Sequence, residues 1–379
     1  MSELPSARST NEAHVHSGTS DLADDKCNLL VSVIIPCYNE SQFIEACIRS
    51  VLAFELPDDV GIEILVIDGR SADDTREIVS RLAQHETRIR LLDNPGRIQA
   101  CALNIGFREA HGQWVLRLDA HSTYLPDYLR LCLETAQRTG ADNVGGLVIT
   151  QQRGSGYEAA LVQALTTHPF GVGDSGFRTG AAEGPADTVP YGFYRRDVVQ
   201  RIGWFDERLV RAQDYEFNRR LIAAGGKIWR NPAIQVQYYN QPTLKAFYKK
   251  QVLLEAPYNA YMWYLAPYAF APRHAITGVF ALGVLGGVLL SPFSHLIAWP
   301  FAAVMALYAI LAIASAVQQA VRYKRPLHVL ALLPCFFLYH FLHGIGVLWG
   351  ILRLLTGTAP VQKIAEPWPG AGRKRAWAK

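Results

Sequence analysis

Trp114-Val115-Leu116-Arg117-Leu118-Asp119-Ala120-His121 runs an apolar segment into a carboxylate, with an imidazole two residues further on. If 114–118 is a buried strand, Asp119 and His121 sit at its carboxyl end, where open α/β sheets gather their ligands. In extended chain, side chains at i and i+2 project the same way. An acid and an imidazole so placed suit an ion such as Mn²⁺, which accepts both oxygen and nitrogen. The same residues also read as a strand-end aspartate capping its turn beside a surface histidine, and alone they do not separate the two.

The flanking sequence supplies the context. Residues 29–36 form a continuous apolar run closed by Pro36, the pattern of a parallel strand buried on both faces. Phe43, Ile44, Cys47, Ile48, Val51 and Leu52 then follow at helical spacing. A second strand, 62–67, ends at Asp68. Ser71 and Asp74 have capping-box spacing and should open a helix whose apolar face is Ile78, Val79 and Leu82. A strand at 89–92, a helix at 98–110, the strand at 114–118, a helix at 125–139 and a strand at 143–150 complete the series. Such alternation predicts an α/β fold with a doubly wound, mostly parallel sheet.

Chemistry should therefore collect at the loops after the strands, at Pro36 to Glu40, Asp68 to Ser71, Asn94 to Arg97 and Asp119 to His121. No GxGxxG or Walker-type loop is present, so a nucleotide would be held by base stacking, a carboxylate on the base and a cation on the diphosphate. Tyr38 offers a ring, Asp68 an acceptor for a uracil N–H, and Arg97 a charge for phosphate. Each has an ordinary counterpart in packing, turn chemistry or a solvated surface, and it is their order along the chain that favours a site. Further on, 167–190 is loop-rich, 191–196 should lead into a short helix, and 203–209 is a turn. Gln213 begins a helix on which Glu216 and Arg220 are spaced for an internal ion pair. Asp214 at its start is either a charge favoured by the helix dipole or a general base.

Over 379 residues the net charge is only +4, and apolar residues dominate from Ile276 onward. Basic residues near those apolar runs point to a membrane surface and away from nucleic acid. The six cysteines show neither CxxC pairs nor finger spacing, and read as buried free thiols in a reducing compartment. The expected layout is a disordered tail (1–28, with no signal peptide), a catalytic domain (29–240), an interfacial aromatic segment (241–273), a membrane region (274–355) and a basic tail (356–379). The apolar runs are 275–290, short for a span, 296–317 and 329–352. Arg322, Lys324 and Arg325 place their loop, and by counting back the catalytic domain, in the cytoplasm. Arg373 to Arg375 would then lie outside, against the same rule, unless the last run, with His340, His343 and Gly344 in its middle, is re-entrant.

These residues resemble family 2 glycosyltransferases with the GT-A fold. Val33-Ile-Ile-Pro-Cys-Tyr-Asn-Glu40, Leu65-Val-Ile-Asp-Gly-Arg-Ser-Ala-Asp-Asp-Thr75 and Asn94 through Asn104 and Gly106 are similar to the family's first three motifs. Arg117-Leu-Asp-Ala-His121, Asp142-Asn-Val-Gly-Gly146, Pro169-Phe-Gly-Val-Gly173, Phe177-Arg-Thr-Gly180 and Phe205-Asp-Glu-Arg-Leu-Val210 with Gln213-Asp214 resemble membrane-attached exopolysaccharide enzymes of the succinoglycan glucosyltransferase type. The resemblance implies that Pro36, Tyr38 and Glu40 line a uridine site and that Asp68 contacts the base. Asp119 takes the DxD position beside ribose and diphosphate, where His121 replaces the second acid and the pair would hold Mn²⁺ or Mg²⁺. Asp214 matches the catalytic base. It further implies an inverting hexosyltransferase in the plasma membrane, moving a sugar such as glucose from a UDP-sugar to a lipid-linked saccharide. The QxxRW motif of processive synthases is replaced by Gln251-Val-Leu-Leu-Glu255. A polyprenyl-phosphate sugar transferase and a non-catalytic nucleotide-binding membrane scaffold are the alternatives.

Overall fold

A computed structural model describes residues 28–361. The tails expected at 1–28 and 356–379, with His14, His16, Cys27 and Arg373 to Arg375, fall almost wholly outside the described residues. Eight strands, β1 (Leu29–Cys37), β2 (Val60–Asp68), β3 (Ile89–Asp93), β4 (Trp114–Arg117), β5 (Asn143–Gln151), β6 (Gly184–Pro185), β7 (Phe193–Arg195) and β8 (Ile228–Tyr239), form one sheet in the order β3-β2-β1-β4-β7-β5-β8-β6. β1 pairs in parallel with both β2 and β4, and β2 with β3, so the four strand ends singled out in the sequence are neighbours. Side chains of β1 alternate between two cores. Val31, Val33 and Ile35 enter one with the helices Ile44–Leu52 and Tyr128–Thr139. Ile34 enters the other with Gln99–Glu109 and Gln213–Ala223. Burial on both faces is why β1 reads as an unbroken apolar run.

The far half of the sheet departs from the simple alternation. β7 inserts antiparallel between β4 and β5, and β8 pairs in parallel with β5. The stretch 191–196, expected to lead directly into a helix, gives β7 first, and the helix Arg196–Ile202 follows. A three-residue strand is too short to show a period, and its pairing comes from strands distant in sequence. β8 contains Pro232, and its register against β5 shifts between Gly145 and Leu147. Gly146 lies there against the Ile234 carbonyl, so close that any β-carbon would overlap it. The capping box is also corrected. Ser71 donates to Asp68 instead, the helix begins at Thr75, and Asp73 accepts from the Thr75 amide at 3.2 Å and the Ser41 amide at 3.1 Å.

Three helices among the described residues are long and apolar enough to cross a membrane, spanning 22 residues at Pro272–Phe293 and 28 each at His295–Arg322 and His328–Leu355. The first run is thus longer than its apolar core suggested. The last is helical throughout, Pro334 included, whereas a re-entrant segment needs a non-helical break at depth. The aromatic segment before them forms the helices Leu244–Lys250 and Ala256–Leu265, joined by a π turn at Gln251–Glu255. These pack on the last apolar helix, whose Gly346 and Gly350 admit the backbone at Val252 and Pro257. Arg322 donates to the Thr167 carbonyl at 3.1 Å, and Tyr323 shares a 2.8 Å bond with the Thr167 hydroxyl. The basic turn at 323–327 therefore lies on the sheet's side of the helices.

A β-carbon at Gly346 would stand 2.7 Å from both the Ala256 β-carbon and the Val252 carbonyl, whereas nothing lies within 4 Å of one at Gly283. Gly346→Leu is expected to cost about 1–3 kcal/mol through overpacking, and Gly283→Leu next to nothing. Melting of the detergent-solubilised variants checks this, and equal midpoints would refute the packing.

Candidate active site

Arg117 is the last residue of β4, and Asp119 follows it in the loop. The chain is already turning there, so the extended i, i+2 geometry expected for Asp119 and His121 does not hold. Arg117 Nη2 donates to Asp119 Oδ1 at 2.8 Å and Nη1 to Asp214 Oδ2 at 3.2 Å. Its guanidinium lies 5.4 Å from the centre of the Tyr191 ring. With 7% of its side chain exposed, a cation here needs these partners to offset its lost hydration. β7 provides the frame, since Gly192, just ahead of it, accepts the Arg117 amide at 3.1 Å.

Asp214 arrives from the opposite half. Ala212 adopts a left-handed φ of +62°, and the helix Gln213–Ala223 starts immediately after it. Gln213 Nε2 donates to Gln99 Oε1 at 2.6 Å, and Gln99 Nε2 to Asp119 Oδ1 at 3.3 Å, which ties the helix to the sheet. Asp214 keeps 38% of its side chain open, into a cavity rather than bulk water. Loss of solvent raises its carboxyl above the ordinary value, Arg117 opposes this, and Asp119 and Glu255 add to it. Oδ1 of Asp214 has no hydrogen-bond partner among the described residues. A carboxyl raised in this way, on a residue that lines the cavity, is equipped to take a proton. Glu216 and Arg220 on the same helix, neither of them in the cavity wall, form the expected internal pair at 2.6 Å.

The strand-end residues form a shelf beside this centre. Tyr38 is 47% exposed and its ring flanks Gly69, while Pro36 is half-buried at the end of β1. Glu40 bonds His121 Nδ1 at 3.2 Å, and this bond, with the charges of Asp119 and Glu40, raises the imidazole against the effect of burial. Asp68 is fully buried: Ser71 and Arg76, the latter at 2.7 Å, occupy its oxygens. Burial would raise that carboxyl, but these partners outweigh it and lower it. Contact with a base thus requires Ser71 or Arg76 to move. Arg97 is exposed, and like Pro36, Tyr38, Glu40, Asp68 and His121 it lies outside the wall of the cavity that Asp119 and Asp214 line. Asn39, Arg70 and Arg97, one in each loop after β1, β2 and β3, take left-handed φ values of 55°, 61° and 57°. Such conformations cost energy in non-glycine residues and cluster at functional rims.

No set of three or more metal-ligating side chains occurs among the described residues. Asp119 Oδ1 is committed to Gln99 and Arg117, but Oδ2 takes no hydrogen bond there, and only Nδ1 of His121 is engaged. One carboxylate oxygen and one imidazole nitrogen fit a divalent ion that draws its remaining ligands from a diphosphate and water.

A cavity of about 790 Å³ connects Asp119 and Asp214 with Phe280, Tyr308 and His340 of the apolar helices. Its wall includes Arg117, Gln99, Gln213 and Tyr191, to which sequence reasoning assigned no role. Arg117 did carry a signal, because a charge inside a buried apolar strand demands a partner.

Residues 32–203 match the family model of glycosyl transferase family 2, a span that stops short of Asp214. The chain is 36% identical over 215 residues to succinoglycan biosynthesis protein ExoA of Rhizobium meliloti, covering 56% of this chain and 64% of that one. It is 30% identical over 226 residues to a dolichyl N-acetyl-alpha-D-glucosaminyl phosphate 3-beta-D-2,3-diacetamido-2,3-dideoxy-beta-D-glucuronosyltransferase of Methanococcus voltae, covering 57% and 69%. These matches, with those to a Haloferax volcanii glycosyltransferase and a second succinoglycan protein, span 60–69% of the relatives' own length. In fold it is similar to a mannosyltransferase from Pyrobaculum calidifontis solved with GDP-Man and Mn²⁺, at a TM-score of 0.54, 19% identity and coverage of 84% and 87%.

Proposed function

Because the chain belongs to glycosyl transferase family 2, we propose that it transfers a sugar from a UDP-sugar, a hexose such as glucose, to a lipid-linked saccharide in exopolysaccharide biosynthesis, inverting the anomeric centre. The observation that carries this is the meeting of Asp119 and Asp214, from opposite halves of the domain, at one cavity through a shared Arg117. The similarity to a succinoglycan biosynthesis protein supports the polysaccharide setting.

Tyr38 and Pro36 offer the uridine a surface, Asp68 and its partners border the base, and Glu40 orients His121. Arg97 meets phosphate from the rim. A divalent ion, Mn²⁺ or Mg²⁺ held by Asp119 and His121, would neutralise the charge that develops on the UDP leaving group. Arg117 keeps the two carboxylates apart in role, holding Asp119 at the donor and leaving Oδ1 of Asp214 free. Asp214 accepts the proton of the acceptor hydroxyl as that oxygen attacks the anomeric carbon opposite UDP. The three apolar helices and the basic turn on the sheet's side support a plasma-membrane protein with its catalytic domain in the cytoplasm.

Calorimetry with UDP, with and without Mn²⁺, tests the donor site. UDP should bind at least tenfold more tightly with Mn²⁺, and Asp119→Asn and His121→Ala should abolish that difference. Metal-independent binding in the wild type would overturn the ligand assignment. A panel of UDP-sugars and lipid-linked acceptors then identifies the product. The reach of the cavity to the apolar helices also suits direct transfer to a polyprenyl phosphate. A phosphate needs no strong base, so that reading gains if activity survives loss of Asp214.

A further inference from the structure

The cavity wall carries positive charge that the donor chemistry leaves unused. Arg178 is packed between the Phe177 and Tyr238 rings, 5.3 Å from each centre, and has no ion-pair partner among the described residues. Arg211 has a buried Nε without a hydrogen-bond partner, and its nearest carboxylate is Glu255 at 3.8 Å. Lys250 lies 3.4 Å from that same carboxylate. Among the described residues Glu255 is the one ion-pair partner of these three cavity-lining cations, and Asp214 also feels the charge of Arg211. Arg273 does not add to the surplus, because Asp174 and Asp187 hold it.

Beyond these cations the lining turns apolar. Phe280 and Tyr308 stack at 4.8 Å, and Ile276 beside them is 65% exposed on the outer face of its helix. Lys250 to Glu255 also contains the π turn, a local widening that recurs at functional positions in helices. Resting on the glycosyltransfer reading above, we propose that Arg178, Arg211 and Lys250 clasp the diphosphate of a lipid-linked acceptor, whose hydrocarbon chain leaves past Phe280 and Tyr308. Cations that outnumber their own ion-pair partners suit a diphosphate diester, and planar guanidinium groups suit its oxygens. A neutral sugar or protein acceptor would leave that charge uncompensated. In this pose the saccharide, attached to the diphosphate, extends toward Asp214.

The test uses the full chain in detergent with farnesyl diphosphate, inorganic pyrophosphate and farnesol as probes, and UDP with Mn²⁺ as a separate readout. Farnesyl diphosphate should bind at least tenfold more tightly than pyrophosphate or farnesol. Arg178→Ala and Lys250→Ala should each weaken it at least tenfold, Arg178→Lys less, with UDP affinity changed under twofold. Unaltered farnesyl diphosphate binding in both alanine variants would overturn the proposal. Equal loss of UDP binding would too, since the cations would then serve the donor. Pyrophosphate binding as tightly as farnesyl diphosphate would point to a soluble phosphate and overturn the lipid assignment. Failure of wild-type protein to bind UDP would count against the glycosyltransfer reading instead, and leaves the lipid-diphosphate readout interpretable.

Discussion

Asp214→Asn is expected to lower sugar transfer by about a thousandfold while UDP affinity in the presence of Mn²⁺ changes by less than about twofold. Asparagine has nearly the same shape, and its side-chain oxygen can still accept from Arg117, which now bonds Asp214 Oδ2 at 3.2 Å. What disappears is a basic oxygen able to carry a proton away from the acceptor. The pH profile gives an independent check. The base acts deprotonated, and desolvation places its carboxyl above the ordinary value, with Arg117 only partly opposing. Activity should therefore fall as the pH drops through that raised value, and the acidic limb should be missing from whatever activity the variant retains. Single-turnover rates across pH measure both effects. Undiminished transfer would remove Asp214 from the chemistry and favour a phosphate acceptor.

Arg117→Met should produce the largest loss of stability, about 3–5 kcal/mol, by leaving two carboxylates facing each other without their shared cation. The residue is nearly buried and bonds Asp119 at 2.8 Å and Asp214 at 3.2 Å, with the Tyr191 ring against its guanidinium. Arg117→Lys should recover only part of the loss, because an ammonium group cannot reproduce the fork that reaches both acids. A double variant, Arg117→Met with Asp214→Asn, should be more stable than Arg117→Met alone, since one of the two repelling charges is gone. Chemical denaturation of the set measures the coupling. If the double variant were no more stable than the single one, the bridging role would be wrong. In Arg117→Met the acidic limb of any residual activity should also move to higher pH, because the group that opposes the rise of Asp214 is absent.

Much of the first half of the sheet was legible in the sequence because its strands are long and buried on both faces. β1 and β2 each run nine residues, and their apolar character alone locates the loops that follow. The ion pair of Glu216 and Arg220 was equally plain, since four residues on one helix fix the distance between two side chains. The state of Asp68 was not legible. Aspartate before glycine suits a turn or a ligand alike, and only the approach of Arg76 from the next helix shows that the carboxyl is already occupied.

The sequence by itself determined the alternating α/β half of the sheet and the apolar helices, because period and hydrophobicity are local properties of a chain. Tertiary structure alone decided that Asp119 and Asp214 share one guanidinium and that their cavity opens toward the apolar helices. Both outcomes depend on β7 slipping antiparallel between β4 and β5 and on the left-handed turn at Ala212. A three-residue strand and a single backbone angle are stabilised by partners tens of residues away, and short-range patterning holds no record of such partners.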